Sequence, residues 1–238
     1  MKSRKQRGQT LSLVMCGHPV PAAALTVVIT AAAAATGRTG LECALVAVTV
    51  LAGALTIGWL DDVVDRNRDK LTGHPGKPLA LGWIDPGTVT FAFACVVLLL
   101  VPLSIANGTY AGLSFLAAVV SAWAYVLFLK KTWLSWLPFA VSFGLLPAFL
   151  SYGGLGGGMH GSPPTVLMTV LAALLGMGIH FLHALPDLVA DKQAGLRHLP
   201  LRVALKIGAP KLLVLSVVWT ALAAGGIVVA GLTDGLAQ

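Results

Sequence analysis

The sequence GWLDDVVDRNRDK, residues 58–70, follows an almost unbroken run of apolar residues. It holds four of the nine acidic residues in the chain, although charge beside hydrocarbon is costly. On an α-helix each residue advances about 100°, so the four carboxylates fall within roughly a quarter turn. They belong to Asp61, Asp62, Asp65 and Asp69. The stretch therefore predicts one acidic face at the end of an apolar helix.

The composition predicts a membrane protein. Hydrophobic residues make up 57% of the 238 residues, charged residues only 11%, and the mean hydropathy is +0.86. A soluble domain is about a quarter charged, whereas runs of about 20 apolar residues are typical of membrane-spanning helices. Seven such runs cover residues 19–36, 41–60, 86–106, 109–129, 133–152, 165–186 and 210–231. We predict an all-α fold, a polytopic bundle of about seven transmembrane helices around a central cavity, as a single domain over residues 1–238.

The basic residues predict the orientation of the chain in the cell membrane. All but one of the 16 Lys and Arg residues fall at the N-terminus or in the loops after the second, fourth and sixth runs. Only Arg38 falls on the other side. Because short basic loops face the cytoplasm, we expect the N-terminus and the acidic stretch to be cytoplasmic. The net charge of +7 then reflects topology and attraction to anionic lipid, with no nucleic-acid partner.

A second acidic motif follows the sixth apolar run. The sequence HALPDLVADKQAG, residues 183–195, places Asp187 and Asp191 four positions apart, which puts them on one helix face. Two opposed carboxylate pairs suit Mg²⁺, which binds through a few carboxylates and substrate phosphates. Basic residues interleaved with the acids suit the outer phosphate oxygens. Together the motifs predict a metal-bridged diphosphate site at the membrane interface, with a lipid tail lying between the helices.

The chain resembles the UbiA superfamily of intramembrane prenyltransferases. That family carries N/D-D-x-x-D-x-x-x-D after its second helix and D-x-x-x-D after its sixth. DDVVDRNRD (61–69) and DLVAD (187–191) stand in those places. GKPLALGWI (76–84) is similar to the family's R/K-P-L-x-x-G segment, and DKQAGLRHLPLRVALKIG (191–208) to the tail after the second motif. The similarity covers most of residues 10–225.

The resemblance implies Mg²⁺-dependent transfer of a prenyl group from an allylic prenyl diphosphate to an aromatic or lipid acceptor in the membrane. Metal-assisted departure of diphosphate leaves an allylic cation, which the acceptor attacks. By position, the implied metal ligands are Asp61, Asp65, Asp187 and Asp191, and the further motif carboxylates are Asp62 and Asp69. The candidate substrate-binding residues are Arg66, Lys77 and Lys192 for the diphosphate, and His183 in the cavity wall.

Helix number separates the chain from the family it resembles, which usually has nine helices. With seven here, the alternatives are that a second subunit closes the cavity in a homo-oligomer, that lipid closes it, or that activity is altered.

Other functions use the same residues. A terpene cyclase of this family would form the same cation without an external acceptor. A polytopic ion or metal transporter would line its path with the acids, since ionisable groups inside membranes often mark such paths. His180, His183 and Asp187 also form a column that suits a transition metal. Against a transporter, the acids lie at span ends and not at mid-membrane.

Overall fold

The computed structural model describes residues 8–72, 76–154 and 162–233. Within those ranges the chain forms eleven α-helices and no strand. The helices are α1 (Gln9–Cys16), α2 (Pro19–Ala35), α3 (Gly40–Thr72), α4 (Pro86–Ala106), α5 (Thr109–Ala124), α6 (Leu137–Gly144), α7 (Leu146–Ser151), α8 (Val166–Ala184), α9 (Leu188–Gln193), α10 (Leu199–Ile207) and α11 (Ala209–Thr233). A π-helical turn, Tyr125–Leu129, continues α5, and a 3₁₀ turn, Leu185–Asp187, joins α8 to α9. The all-α prediction is confirmed.

Five helical segments are long and apolar enough to cross a membrane. They are Gly40–Leu71, Pro86–Ala106, Thr109–Leu129, Val166–Gln193 and Ala209–Thr233. The pair α1 and α2, bent by 59°, makes a sixth if it is counted as one span. The predicted run 133–152 forms a shorter apolar segment, Leu137–Ser151. The described residues therefore give five or six candidate spans, and the count of seven stays a prediction.

Local sequence signals set several helix ends. Asp85 caps α4 by accepting the backbone N–H groups of Gly87 and Thr88, and Pro86 takes the first helical position. Thr165 caps α8 by accepting the N–H of Met168. The pair α1 and α2 is broken at Gly17 and His18, just before Pro19.

The helices pack against one another largely in chain order. Helix α2 packs on α3, α3 on α4, α4 on α5, α5 on α6 and α7, α6 on α8, and α8 on α11. The main hydrophobic cluster includes Val46 and Val50 of α3, Phe115 of α5 and Phe149 of α7. Short-range connections of this kind place alternate helix ends at the same end of the bundle. The C-terminal end of α3 thus lies beside the segments that follow α5 and α8.

Arg38 marks the opposite end of the bundle. It precedes the N-terminus of α3 and donates a hydrogen bond of 2.5 Å to the carbonyl oxygen of Leu150 in α7. Burial lowers the pKa of its guanidinium, partly offset by Glu42. The basic residues at 2, 4, 5 and 7, which supported a cytoplasmic N-terminus, lie outside the described residues. Among the described residues Arg38 stands apart from the basic residues at the acidic end, and the orientation of the chain in the membrane stays a prediction.

Candidate active site

The two aspartate motifs meet in one cavity. Asp61 and Asp65 reach it from α3, and Asp187 and Asp191 reach it from the segment after α8. The remaining lining residues are Arg68, Tyr125, Lys130, His183, Ala184, Leu196 and His198. Two carboxylate pairs, distant in sequence, therefore face one space together with cationic side chains.

Lys130 lies between the carboxylates of the first motif. Its Nζ is 2.9 Å from Oδ1 of Asp61 and 2.6 Å from Oδ2 of Asp65. The π-helical turn positions it, because the Lys130 N–H donates to the carbonyl of Tyr125 at 2.9 Å. A π turn is rare, is frequent at functional sites, and changes which side chains share a face. Here Tyr125 and Lys130 both line the cavity.

The second motif is held by side chains from two other segments. Nε2 of His198 lies 2.9 Å from Oδ2 of Asp191, and a guanidinium nitrogen of Arg68 lies 3.2 Å from Oδ1. Pro186 lies in the 3₁₀ turn, so Asp187 ends that turn and Asp191 sits in the short α9. The motif is therefore not one regular helix, yet both carboxylates still line the same cavity.

Asp62 turns to a neighbouring cluster away from the cavity. It is 2% exposed, and its Oδ1 lies 2.6 Å from Nζ of Lys77 and 2.9 Å from Nε2 of His18. Lys77 also lies 3.5 Å from Asp61 and 3.7 Å from Asp69. Burial lowers the pKa of Lys77, but Asp61 and Asp62, with Asp69, raise it more, so its pKa stands well above 10.5. Lys77 therefore stays charged and balances the acids behind the cavity wall.

A close helix crossing brings His18 to Asp62. A Cβ added to Gly58 of α3 would lie 2.6 Å from the backbone carbon of Gly17. Glycine at both positions lets the backbones touch. His18 follows with a left-handed backbone, φ 52°, which is uncommon for a non-glycine residue. The bend between α1 and α2 therefore packs against α3 beside the first motif.

The model of the UbiA prenyltransferase family matches residues 23–237, which is most of the chain. The chain belongs to the UbiA prenyltransferase family. A comparison with curated protein sequences returned no match.

Solved structures of the UbiA fold are similar to the chain. A UbiA homolog from Archaeoglobus fulgidus bound to DMAPP and Mg²⁺ superposes with a TM-score of 0.69, at 18% identity, over 89% of this chain and 75% of that chain. A UbiA homolog from Archaeoglobus fulgidus bound to Cd²⁺ gives a TM-score of 0.65 at 17% identity, over 93% of this chain and 89% of that chain. A structure from work on digeranylgeranylglyceryl phosphate synthase in membranes gives 0.61 at 19% identity, covering 90% and 77%. These likenesses show the fold, and with the apolar helices they identify a multi-pass membrane protein of the UbiA family.

The structure separates the predicted site residues into three places. Those in the cavity wall are Asp61, Asp65, Asp187, Asp191 and His183. Those in the neighbouring cluster are Asp62, Asp69 and Lys77. Arg66 is half-buried away from the cavity, and its Nε has no hydrogen-bond partner among the described residues. Lys192 is exposed and does not line the cavity.

Two charged or polar residues of the site, Lys130 and His198, were not predicted. Arg68 was predicted only as one of the basic residues interleaved with the acids, three positions after Asp65. Lys130 belongs to the basic pair after the fourth apolar run, which we interpreted as a topology signal. His198 precedes a Leu-Pro pair typical of a helix start. Sequence separation from the aspartates hid Lys130 and His198, because neither has the spacing of a metal or catalytic motif.

The column of His180, His183 and Asp187 does not converge on one point. His180 is 1% exposed, its Nε2 lies 3.0 Å from Oγ of Ser135, and its ring packs on Phe139. His183 and Asp187 line the cavity without it. Among the described residues, metal-ligand spacing is found instead for His18, Asp61 and Asp62. Packing and the Ser135 contact therefore explain His180.

The donor set of the cavity fits Mg²⁺. Four carboxylates offer hard oxygen ligands, and none of the three cysteines, all of which lie in the described ranges, lines the space. The carboxylate oxygens are accompanied by Lys130 and Arg68, which neutralise their mutual repulsion. A soft-metal site would need thiolate or several imidazole ligands at one point. The residues present therefore suit a hard divalent cation with a phosphorylated substrate.

Proposed function

We propose that the protein transfers a prenyl group from an allylic prenyl diphosphate to an aromatic or lipid acceptor within the membrane, with Mg²⁺ as cofactor. One observation carries this proposal: Asp61, Asp65, Asp187 and Asp191 line one cavity that also holds two cationic side chains. Family membership and the fold of homologues bound to prenyl diphosphates support it.

The side chains have distinct proposed roles. The four cavity carboxylates hold Mg²⁺, which supplies positive charge that stabilises the departing diphosphate. Lys130 and Arg68, whose cationic groups lie in the cavity wall, bind the outer phosphate oxygens by charge-assisted hydrogen bonds. Lys77, 3.5 Å from Asp61, orients that carboxylate from behind the cavity wall. The Tyr125 ring lines the cavity and would stabilise an allylic cation by cation–π attraction.

The apolar helices around the cavity have a role in catalysis as well. An allylic cation reacts with water as readily as with an acceptor, so the surrounding spans must exclude water. The prenyl tail, which is purely hydrocarbon, lies between these spans at no cost in desolvation. We place the cavity at the cytoplasmic end, because Arg66, Lys130 and Lys192 lie at or just beyond the C-terminal ends of three candidate spans, while Arg38 lies at the other end of the bundle.

The deciding experiment measures diphosphate release from a labelled allylic diphosphate by the full chain in lipid nanodiscs. Asp65→Ala and Asp187→Ala should each abolish Mg²⁺-dependent release. Val64→Ala changes an exposed neighbour in the same motif and serves as the matched control. Unchanged turnover in both aspartate variants would overturn the proposal.

Product analysis separates the two enzymatic alternatives. Incubation with phenolic and lipid acceptors, followed by mass spectrometry, should give a prenylated acceptor. A cyclic hydrocarbon formed without any acceptor would identify a terpene cyclase that uses the same cavity. Ion flux in proteoliposomes without prenyl chemistry would identify a transporter instead.

A further inference from the structure

We propose that His198 is a positioning residue that fixes the carboxylate of Asp191 for metal binding. The inference rests on the proposed function, because it takes Asp191 as a ligand of Mg²⁺. His198 lies outside both aspartate motifs, and its ring contacts Asp191 from the start of another helix, α10.

Both ring nitrogens of His198 have partners. Nδ1 lies 3.2 Å from the backbone nitrogen of Leu201 and accepts its N–H, which caps α10. Nε2 lies 2.9 Å from Oδ2 of Asp191. A neutral imidazole has one donor and one acceptor nitrogen, so the accepting Nδ1 leaves the proton on Nε2. The helix cap therefore sets the tautomer that donates to Asp191.

The two carboxylate oxygens of Asp191 have different surroundings. Oδ2 accepts from His198, whereas Oδ1 is buried and has no hydrogen-bond partner among the described residues. The guanidinium of Arg68 lies 3.2 Å from Oδ1 as an ion pair. The ion pair with Arg68 does not occupy both lone pairs of Oδ1, so a metal ion in the adjoining cavity would bind there beside the guanidinium. His198 thus holds Oδ2 of Asp191, and a metal would bind at Oδ1, beside Arg68.

The chain path after Asp191 makes this contact possible. Gly195 has a left-handed backbone, φ 70°, and the N–H of Leu196 donates to the carbonyl of Asp191 at 3.0 Å. The N–H of Leu199 donates to Oγ of Ser135 at 3.4 Å, which holds the start of α10. His198 is therefore fixed independently of Asp191. Removing a hydrogen-bond partner of this kind lowers metal affinity or activity about 10- to 100-fold.

The test compares His198→Ser with His198→Ala in the full chain in detergent. Serine retains an oxygen that caps α10 but is too short to contact Asp191. Electron paramagnetic resonance measures Mn²⁺ binding in the absence of prenyl diphosphate. We expect the Mn²⁺ affinity to fall about 10- to 100-fold in both variants. Thermal stability should stay near that of the unmodified chain in His198→Ser and fall in His198→Ala, because only alanine removes the cap.

Two reference variants decide the interpretation. Thr165→Ala removes a cap with the same 3.2 Å spacing at the far end of α8, so it should lower stability and leave Mn²⁺ affinity unchanged. Asp191→Asn should weaken Mn²⁺ binding directly. If Asp191→Asn weakens binding but His198→Ser does not, the positioning role is wrong and the proposed function stands. If Asp191→Asn has no effect on binding, the metal role of Asp191 fails, and this inference fails with it.

Discussion

Arg68 and Asp191 form an ion pair of 3.2 Å that joins the two aspartate motifs directly. Arg68 lies near the end of α3, and Asp191 lies in α9, near the end of another candidate membrane span, Val166–Gln193. The same guanidinium lies 3.9 Å from Asp65. One side chain thus faces a carboxylate from each motif, and the two motifs form a single site.

Arg68 should contribute more to substrate binding than Lys192. We expect Arg68→Gln to raise the KM for prenyl diphosphate about 10- to 100-fold, because a charge-assisted hydrogen bond contributes about 1.5–3 kcal/mol. Lys192→Gln, which changes an exposed side chain outside the cavity, should alter KM less than about twofold. Steady-state kinetics in nanodiscs measure both. A larger increase in KM for Lys192→Gln than for Arg68→Gln would show that Lys192 contacts the diphosphate.

Lys130 should compete with a metal ion for the first motif. Its ammonium bridges Asp61 and Asp65, so Lys130→Met should tighten Mn²⁺ binding in the absence of diphosphate. The same variant should lower turnover, because the diphosphate loses a cationic contact. Paramagnetic resonance and kinetics give the two readouts, and exposed Lys131→Met is the matched control. Weaker Mn²⁺ binding in Lys130→Met would contradict the competition.

Lys77 should stabilise the protein up to strongly alkaline pH. Its pKa in the folded chain is raised above 10.5 by Asp61 and Asp62, against the opposing effect of burial. A raised folded pKa gives stabilisation that is complete below the ordinary pKa and is lost as pH rises through the folded pKa. The stability gap between the unmodified chain and Lys77→Met should therefore stay constant up to about pH 10 and shrink above it.

Thermal unfolding in detergent across that pH range measures the gap. Lys70→Met, which changes an exposed lysine near the end of α3, should show no comparable gap at any pH. A gap for Lys77→Met that closes between pH 7 and 9 would show that the lysine is not held charged by the aspartates.

The contact between Gly17 and Gly58 should tolerate no side chain. Gly58→Ala places a methyl group 2.6 Å from the Gly17 backbone, and overpacking of this kind costs typically about 1–3 kcal/mol. We expect a lower unfolding temperature and a weakened contact between His18 and Asp62. Gly225→Ala in α11 meets no atom within 4 Å and should leave stability equal or slightly higher. Equal stability of the two variants would show that the bend between α1 and α2 does not pack tightly on α3.

Much of the fold follows from local sequence. Apolar runs of membrane-spanning length identify long helices, because hydrocarbon leaves the backbone no other partner than itself. Asp85 and Thr165 mark the starts of α4 and α8 as N-caps. The run 133–152 was harder to interpret, because Pro138 and Pro147 sit at the starts of two short helices, α6 and α7. Hydropathy does not distinguish such a broken segment from a straight span.

The sequence by itself determined the all-α membrane fold and both aspartate motifs, because apolar runs and i, i+4 spacing are local properties. Tertiary structure alone decided which carboxylates share the cavity. Asp61 and Asp62 are neighbours in sequence, yet Asp61 lines the cavity and Asp62 turns to Lys77 and His18. Structure alone also brought Lys130 and His198 to the aspartates. Ion pairs between distant segments depend on how helices pack, and one-residue differences in helix rotation decide which side chain faces the site.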